Sequence, residues 1–412
     1  MTNRKNITDV FTPRQSEVNE DMYVERPKHE KALKRAINRN SHSLVFGESG
    51  NGKSWLYKKV LSENSIAHVV ANCANASRLK SITQEVCNCI IEPGTVSKLG
   101  FNEEKAAEIN AYFAKGGLKH NGNYDIAQEE PLLKAFRIFH ESNNSKKIIV
   151  LDNLESIFDS TELMDELADI IILLDDERYS ACKINFLIVG VPSGVLQYFS
   201  ETKNVESVSN RINEIDKIIG LDSGQVMEIV KKGFDQLAIN ITGEKLIYLA
   251  DLISFITLGI PQRVHEYCES LAYEIEDNDW KYDISLIKRA NFEWLRQGLR
   301  QSYYVIDCHW GNRATAVARK NQVIFCIGKI SSHQFDSKKI DEMLRIEFPS
   351  TIPRTNMGIA SILGKLSEGT TPLLIKSNNT YSIKDPRFLM CIRTAIFKDP
   401  SKTKVIKKNF KV

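Results

Sequence analysis

The sequence predicts an α/β domain with a mostly parallel sheet, followed by a helical domain and a small C-terminal domain. Three observations support this. Short apolar runs near residues 43–46, 67–71, 148–152 and 184–190 alternate with helical patterns, as in a parallel sheet with crossover helices. Amphipathic helical patterns then fill residues 222–300. The last hundred or so residues combine helical patterns with one short hairpin pattern.

Length and composition set the class of protein. At 412 residues, the chain is long enough for two or three domains. Its 42% hydrophobic and 26% charged residues are typical of globular proteins. It has no apolar run long enough to cross a bilayer, and its polar N-terminus lacks a signal-peptide pattern. We therefore expect a cytoplasmic protein that does not contact membranes.

The eight cysteines form no C-x-x-C pair and mostly lie in apolar surroundings. This pattern favours reduced core thiols over a zinc site or a disulfide framework.

Charge is distributed unevenly along the chain. Residues 301–412 contain 19 Lys and Arg against 8 Asp and Glu, a balance of +11. Residues 1–300 contain 36 against 44, a balance of −8. A basic C-terminal part on an acidic body indicates a polyanionic partner for residues 301–412.

A glycine-rich segment connects the first predicted strand to a helix. Its sequence is Gly47-Glu48-Ser49-Gly50-Asn51-Gly52-Lys53-Ser54, followed by Trp55. It fits G-x-x-x-x-G-K-[ST], the P-loop pattern, in which backbone N–H groups surround phosphate oxygens at a helix N-terminus. Lys53 is expected to reach the β- and γ-phosphates and Ser54 to hold Mg²⁺. We therefore predict ATP binding by residues 47–55.

The third apolar run ends in an acid. Asp152 is the expected partner of Ser54 in holding Mg²⁺, since P-loop enzymes place a carboxylate at the end of such a strand. A water-orienting Glu often follows this Asp, but here the next residue is Asn153, which cannot act as a base. Glu155 either replaces that Glu or is a solvated loop acid. Hydrolysis is therefore expected to be slow if Glu155 does not take part.

The motifs GESGNGKS and KKIIVLDN resemble those of the AAA+ superfamily of P-loop NTPases. The resemblance covers most of residues 20–395 and favours the branch with origin-recognition ATPases, transposon ATPase regulators and STAND-class switches. It implies a helical lid after the sheet, a C-terminal winged-helix domain, and a homo-oligomer that buries ATP at its interfaces.

The same resemblance implies further roles, each with a plainer alternative. Val24 and Arg26 would contact the base, or simply precede a helix. Arg211 would reach the nucleotide of a neighbouring subunit, or be a surface arginine. Arg263 would contact the γ-phosphate from the lid, or be a solvated residue near a helix start. Ser193 is the nearest match to the family's polar sensor.

The C-terminal pattern is that of a winged helix. Three helices near 320–330, 336–347 and 355–367 precede a hairpin at 373–383, and residues 381–388 resemble the run that closes such wings. The side chains suited to double-stranded DNA are Arg354, Asn356, Ser361 and Lys365 on the recognition helix, and Lys376, Asn378 and Asn379 on the wing. Winged helices also serve as protein-docking modules.

The predicted organisation has five parts. They are a flexible segment at 1–20, an ATPase domain at 21–221 with an insertion near 93–130, a lid at 222–300, a winged helix at 301–397 and a basic tail at 398–412.

Two functions remain open. One is an ATPase that couples its nucleotide state to DNA engagement in a mobile-element, replication or defence setting. The other is a STAND-type switch, with slow or no hydrolysis, that controls a separate effector protein.

Overall fold

The structure is a computed structural model that describes residues 4–39, 41–91, 130–141, 146–190, 205–311, 317–353, 357–400 and 403–409. Apart from Glu130, the predicted insertion at 93–130 lies outside the described residues. The chain divides into two compact units. The sheet unit comprises Ser16–Val18 and Glu25–Ile219, and the helical unit comprises Met1–Gln15, Asn19–Val24 and Gly220–Val412.

The strands of the described residues are β1 (His42–Phe46), β2 (Ala67–Asn72), β3 (Lys147–Asp152), β4 (Ile184–Gly190), β5 (Ile212–Glu214), β6 (Gln334–Phe335), β7 (Leu374–Ser377), β8 (Thr380–Ile383), β9 (Ile396–Lys398) and β10 (Val405–Lys407).

The helices of the described residues are α1 (Ile7–Val10), α2 (Pro27–Asn38), α3 (Lys53–Glu63), α4 (Cys73–Leu79), α5 (Ile82–Ile91), α6 (Pro131–Glu141), α7 (Thr161–Leu173), α8 (Glu177–Ser180), α9 (Val205–Ser209), α10 (Ser223–Gln236), α11 (Glu244–Thr257), α12 (Pro261–Glu276), α13 (Leu286–Gly298), α14 (Arg300–His309), α15 (Arg319–Lys329), α16 (Ser337–Glu347), α17 (Ile359–Leu366) and α18 (Pro386–Ala395), with 3₁₀ turns at Leu154–Ile157 and Pro349–Thr351.

The sheet unit is a three-layer α/β structure. Its five strands run parallel in the order β2-β3-β4-β1-β5. Side chains alternate across the sheet, so Ile148 and Val150 lie in the core with α2 and α3, whereas Ile149 and Leu151 lie in the core with α5, α6 and α7. Burial on both faces explains the nearly continuous apolar sequence of β3 and β4. The predicted α/β fold class is confirmed.

The helical unit contains the lid helices α10–α13 and the predicted winged helix. Helices α15, α16 and α17 accompany a small antiparallel sheet in the order β6-β8-β7. The wing turn contains Asn378 in a left-handed conformation with φ 53°. One hydrophobic cluster runs from the lid helices through the winged helix. Consequently, residues 220–412 form one unit, although the sequence suggested a boundary near residue 300.

The structure corrects the expectation of a flexible segment at residues 1–20. Ile7, Val10 and Phe11 are buried in the core of the helical unit. The ring of Phe11 lies so close to α10 that a Cβ at Gly233 would be 2.4 Å from it. The i, i+3, i+4 spacing of three apolar residues was the signal for this short amphipathic turn, and the polar residues around it obscured that signal.

Two C-terminal expectations also need correction. No helix was predicted at residues 301–319, yet α14 begins at Arg300 and buries Tyr303 and Ile306. Residues 398–412 were predicted to be a basic tail, yet β9 and β10 pair as an antiparallel hairpin. The phenol of Tyr303 donates a 2.6 Å hydrogen bond to the carbonyl of Lys408, which ties the hairpin to α14.

Within the described ranges, no helix is long and apolar enough to span a membrane. All eight cysteines are free thiols.

A buried histidine predicts acid sensitivity of the helical unit. The Thr12 N–H donates to His265 Nδ1 at 3.2 Å, and burial lowers the pKa of His265 to about 4 from its ordinary value of 6.5. The folded state therefore resists protonation, and its stability is full above pH 6.5 and falls as the pH drops toward 4. We expect His265 to cost about 2 kcal/mol of unfolding free energy at about pH 5 relative to about pH 7.5.

Urea unfolding of wild type and His265→Asn at both pH values measures this effect. The asparagine amide oxygen can still accept the Thr12 N–H, but it does not titrate. Burial also lowers the pKa of His42, in the sheet unit, to about 4, so the difference between the two proteins isolates His265. An equal acid-induced loss in wild type and variant would contradict the prediction.

Candidate nucleotide site

The predicted P-loop connects β1 to α3. Gly50 and Gly52 adopt left-handed backbone conformations with φ 82° and 80°, and Gly52 immediately precedes Lys53, the first residue of α3. Residues with a Cβ rarely adopt this conformation, so the two glycines allow the tight path of the loop. Ser49 lies in the turn between them and β1, and Ser54 and Trp55 lie half-buried in the first turn of α3.

Residue 218 supports the loop. A Cβ at Gly47 would be 2.3 Å from the carbonyl oxygen of Ile218, so only glycine fits at position 47. The same oxygen accepts a 2.9 Å hydrogen bond from Asn51 Nδ2, and the Ile218 N–H donates to Phe46 at 2.8 Å. Beside this contact, Lys217 forms a 3.2 Å ion pair with Glu48. The P-loop is therefore anchored to the segment just before the end of the sheet unit.

Lys53 points back into the loop. Its Nζ donates to the carbonyl oxygens of Gly47 at 2.8 Å and Glu48 at 3.1 Å. Burial lowers the pKa of the Lys53 ammonium, while the charges of Glu155, Asp152 and Glu48 oppose that shift. The sequence-predicted Lys53, Asp152 and Glu155 therefore lie within electrostatic reach of one another.

Asp152 lies at the carboxyl end of β3, next to α3. Tyr57 OH donates to Asp152 Oδ2 at 3.4 Å. Ser54 is three residues before Tyr57, so both lie on the helix face that is turned toward Asp152. Burial, and then the negative charge of Asp152, raises the pKa of the Tyr57 phenol, which keeps it a hydrogen-bond donor. Tyr57 is a site residue that was not predicted from the sequence.

The residue after Asp152 does not face the site as a base would. Asn153 is left-handed with φ 59°, and its Nδ2 donates to Asn72 Oδ1 at 3.3 Å. Asn72 ends β2 and pairs in register with Asp152. Asn72 was not predicted as a site residue, although a polar residue at the carboxyl end of a predicted parallel strand was a usable signal. Glu155 is exposed in the 3₁₀ turn that follows.

Residues 36–199 match the family model of the AAA domain. The chain contains an AAA domain. This P-loop module implies nucleotide binding, and the matched range includes the loop, Asp152 and strands β1–β4.

Solved structures also resemble the chain. A Walker-type ATPase of Pyrococcus abyssi is 17% identical with a TM-score of 0.52, over 90% of this chain and 96% of that chain. Cdc6p of Pyrobaculum aerophilum (15%, TM-score 0.43, 94% and 97%) and the ORC2 protein of Aeropyrum pernix in its ADP form (13%, 0.47, 93% and 96%) are more distant. The first likeness supports a shared fold over most of the chain. No curated protein sequence matches significantly.

Two predicted arginines of the sheet unit form hydrogen bonds and an ion pair within that unit. Arg211 Nε forms a 2.6 Å ion pair with Asp175, and its Nη1 donates to the carbonyl of Ser207. Arg26 is buried, and its Nη1 donates to the carbonyl of Ile219 at 3.0 Å. Neither side chain is a purely solvated surface residue.

Val24 and Arg263 lie outside the AAA domain, in the helical unit. Val24 is buried in the core of that unit. Arg263 Nη1 forms a 2.6 Å ion pair with Glu266, one turn along α12. Their roles at a nucleotide stay predictions, and Ser193 lies outside the described residues.

The winged helix exposes part of the predicted DNA-binding set. Ser361 and Lys365 are exposed on α17, as are Lys376, Asn378 and Asn379 on the wing. Residues 354–356, with the predicted Arg354 and Asn356, lie outside the described residues.

Proposed function

We propose that the AAA domain binds ATP with Mg²⁺ and that its nucleotide state controls binding of double-stranded DNA by the winged helix. The observation that carries the nucleotide part is the position of Lys53, whose ammonium lies in the P-loop within reach of the charges of Asp152 and Glu155. A triphosphate would replace the carbonyl partners of Lys53 with stronger, charged acceptors.

The donor set suits Mg²⁺. The cation prefers oxygen ligands and usually takes one or two from protein, with the rest from phosphates and water. Ser54 and Asp152 supply a hydroxyl and a carboxylate from facing elements. When bound, Mg²⁺ would neutralise charge on the β- and γ-phosphates. Lys53, whose ammonium points back into the loop, would bind and orient the same phosphates.

Glu155 is the proposed water-orienting residue. Glu155→Gln is expected to lower ATP turnover by about 100-fold, in the range for loss of a general base, and to leave ATP affinity within about threefold. Phosphate release and equilibrium titration with a fluorescent ATP analogue measure the two effects. Asp159→Asn, another exposed acid in the same region, is the matched control. Turnover equal to wild type in Glu155→Gln would remove Glu155 from this role.

Support for DNA binding comes from charge and from the exposed winged-helix surface. The balance of +11 over residues 301–412 suits a polyanion. Lys365 lies on the predicted recognition helix and Lys376 on the wing, the two elements that contact DNA in winged helices.

Replacing both lysines tests this surface. Lys365→Ala/Lys376→Ala is expected to weaken duplex binding about tenfold and to reduce the slope of log affinity against log salt by about 2, one for each lost phosphate contact. Fluorescence anisotropy with a labelled duplex across a salt series measures both. Lys245→Ala, an exposed lysine on α11, is the control and should retain wild-type binding. An unchanged slope would show that the two lysines do not contact phosphates.

One experiment separates the two candidate functions. ATP turnover is measured with and without double-stranded DNA at low and high salt, with Lys53→Ala as the blank. Salt-sensitive stimulation by DNA supports the DNA-coupled ATPase.

A STAND-type switch is the second candidate, and Asn153 favours it. Its amide is bonded to Asn72 and cannot take a proton from water. A protein that uses ATP mainly as a conformational ligand needs little turnover. ATP binding without turnover and without a DNA response would support this candidate, in which a separate effector protein is controlled.

We further propose that the chain forms a homo-oligomer in which Arg211 reaches the nucleotide of a neighbouring subunit. Arg211 would then exchange Asp175 for phosphate oxygens. Arg211→Ala should lower turnover in the oligomer without weakening ATP binding to the subunit's own P-loop. By the family resemblance, Val24 and Arg26 would contact the base. Arg263 would reach the γ-phosphate after leaving Glu266.

A further inference from the structure

The helical unit contains a cavity that the proposed ATPase and DNA-binding roles do not use. Its volume is about 500 Å³, within the range of about 300–1,000 Å³ that is common for small-molecule sites. The N-terminal segment around Phe11 and Arg14 forms one wall. Helices α12 and α13 form the other, with Glu269 from α12 and Trp294 from α13. Every lining residue belongs to the helical unit.

Trp294 lines this cavity, and its indole N–H is a hydrogen-bond donor with no acceptor among the described residues. Its side chain is 1% exposed, and no atom of the described residues accepts from its buried Nε1–H. The ring is held edge-on against Tyr267, with centroids 5.4 Å apart, so its orientation is fixed by packing. Leaving such a buried donor without an acceptor is energetically unfavourable. We therefore expect a ligand in the cavity to supply the missing hydrogen-bond acceptor.

Gly298 lies beside that donor, where any larger residue would crowd it. A Cβ at position 298 would lie 3.2 Å from Trp294 Nε1 and 3.6 Å from Glu266 Oε2. Gly298 ends α13 without a left-handed backbone, so alanine fits its conformation while obstructing the approach to the indole N–H.

The charge pattern of the cavity favours a cation. Glu266 is already compensated by its 2.6 Å ion pair with Arg263. Glu269 is half-buried, and no cation among the described residues forms an ion pair with it. Burial, and then the nearby Glu266, raises the pKa of Glu269, while the exposed Arg14 at the rim acts in the opposite direction. An incompletely compensated carboxylate in a cavity is a natural partner for a bound cation.

We propose that this cavity binds a basic amino acid, with its cationic group at Glu269 and a carbonyl or carboxylate oxygen at the Trp294 N–H. The indole and Phe11 supply apolar contact for the aliphatic stem, as is usual for arginine and lysine side chains. The same chemistry is offered by free arginine and by an arginine within a peptide, and the test distinguishes these two sources.

The test is isothermal titration of the full-length protein with L-arginine, with acetyl-Gly-Arg-Gly-amide and with L-citrulline, the neutral analogue of arginine. We expect saturable binding of arginine or of the peptide and at least about tenfold weaker binding of citrulline, since a charge-assisted bond is lost. The tighter of the two arginine ligands identifies the source.

Variants locate the site. Glu269→Gln and Gly298→Ala should each weaken binding about tenfold or more. Trp294→Phe keeps the ring, removes only the donor, and should weaken binding about fivefold. Glu276→Gln, an exposed acid at the end of α12 outside the cavity, should bind like wild type.

A cooperative urea-unfolding transition with a midpoint close to that of wild type shows that the helical unit of each variant is folded. Absence of arginine and peptide binding, equal binding of citrulline, or wild-type binding by Glu269→Gln would overturn the proposal. None of these outcomes depends on whether the chain hydrolyses ATP or binds DNA.

Discussion

Lys53→Ala is expected to abolish ATP turnover and to weaken ATP binding about 100-fold or more, as loss of a charged phosphate contact in a partly desolvated site does. The reason is local. The Lys53 ammonium is the cation seated in the loop, held by the carbonyls of Gly47 and Glu48. Alanine at the first position of α3 favours the helix, so the loss should be one of binding and not of folding. Equilibrium titration with a fluorescent ATP analogue, together with phosphate release, measures it.

The matched control for Lys53→Ala is Lys59→Ala. Lys59 lies on the same helix and forms a 3.3 Å ion pair with Glu63. It should bind and turn over ATP like wild type. If Lys53→Ala retained ATP affinity within about threefold of wild type, the P-loop would not be the nucleotide site.

Asp152→Asn is expected to reduce Mg²⁺-dependent ATP turnover about 100-fold or more. Asparagine matches aspartate in shape, so Tyr57 OH can still donate to its side-chain oxygen. The change therefore removes mainly the negative charge that would hold the cation. ATP binding without Mg²⁺ should weaken little, because repulsion between the carboxylate and the phosphates is also removed. Magnesium titrations of turnover and of binding separate these effects.

Tyr57→Phe controls for the hydrogen bond at Asp152. It removes the 3.4 Å contact and leaves the carboxylate in place. Turnover should fall less than about fivefold, since a 3.4 Å contact is long for an O–H···O hydrogen bond and contributes about 1 kcal/mol or less. A larger loss in Tyr57→Phe than in Asp152→Asn would assign the main role to the phenol instead of the carboxylate.

Much of the sheet unit could be predicted because local pattern and tertiary burial agree. The ends of β4 at Ile184 and Gly190 coincide with the sequence prediction. Continuous burial on both sheet faces gives a continuous apolar run. Strand β5 was missed because its Ile-Asn-Glu sequence is short and polar, and its pairing with β1 is what makes it a strand.

The C-terminal hairpin, by contrast, could not be predicted from its local sequence pattern. Its lysines suggested a solvated tail, but Val405 is buried and the pairing with Ile396–Lys398 satisfies the backbone. Within the site, the P-loop and Asp152 have local signatures. By contrast, Tyr57 with Asp152, Asn72 with Asn153, and Arg211 with Asp175 depend on elements far apart in sequence. No pattern within one element encodes such a pair.

The backbone hydrogen bonds of Ile218 make this residue a direct reporter of nucleotide binding at the P-loop. The Ile218 N–H donates to β1, and its C=O accepts from Asn51 of the P-loop. Gly220, at which the longest segment of the helical unit begins, follows two residues later. Two residues span at most about 7 Å, so the chain segment from Ile218 to Gly220 is short. A rearrangement of the loop when phosphate binds would therefore displace the backbone of Ile218 directly. Amide hydrogen exchange at Ile218 would therefore report nucleotide arrival and departure directly.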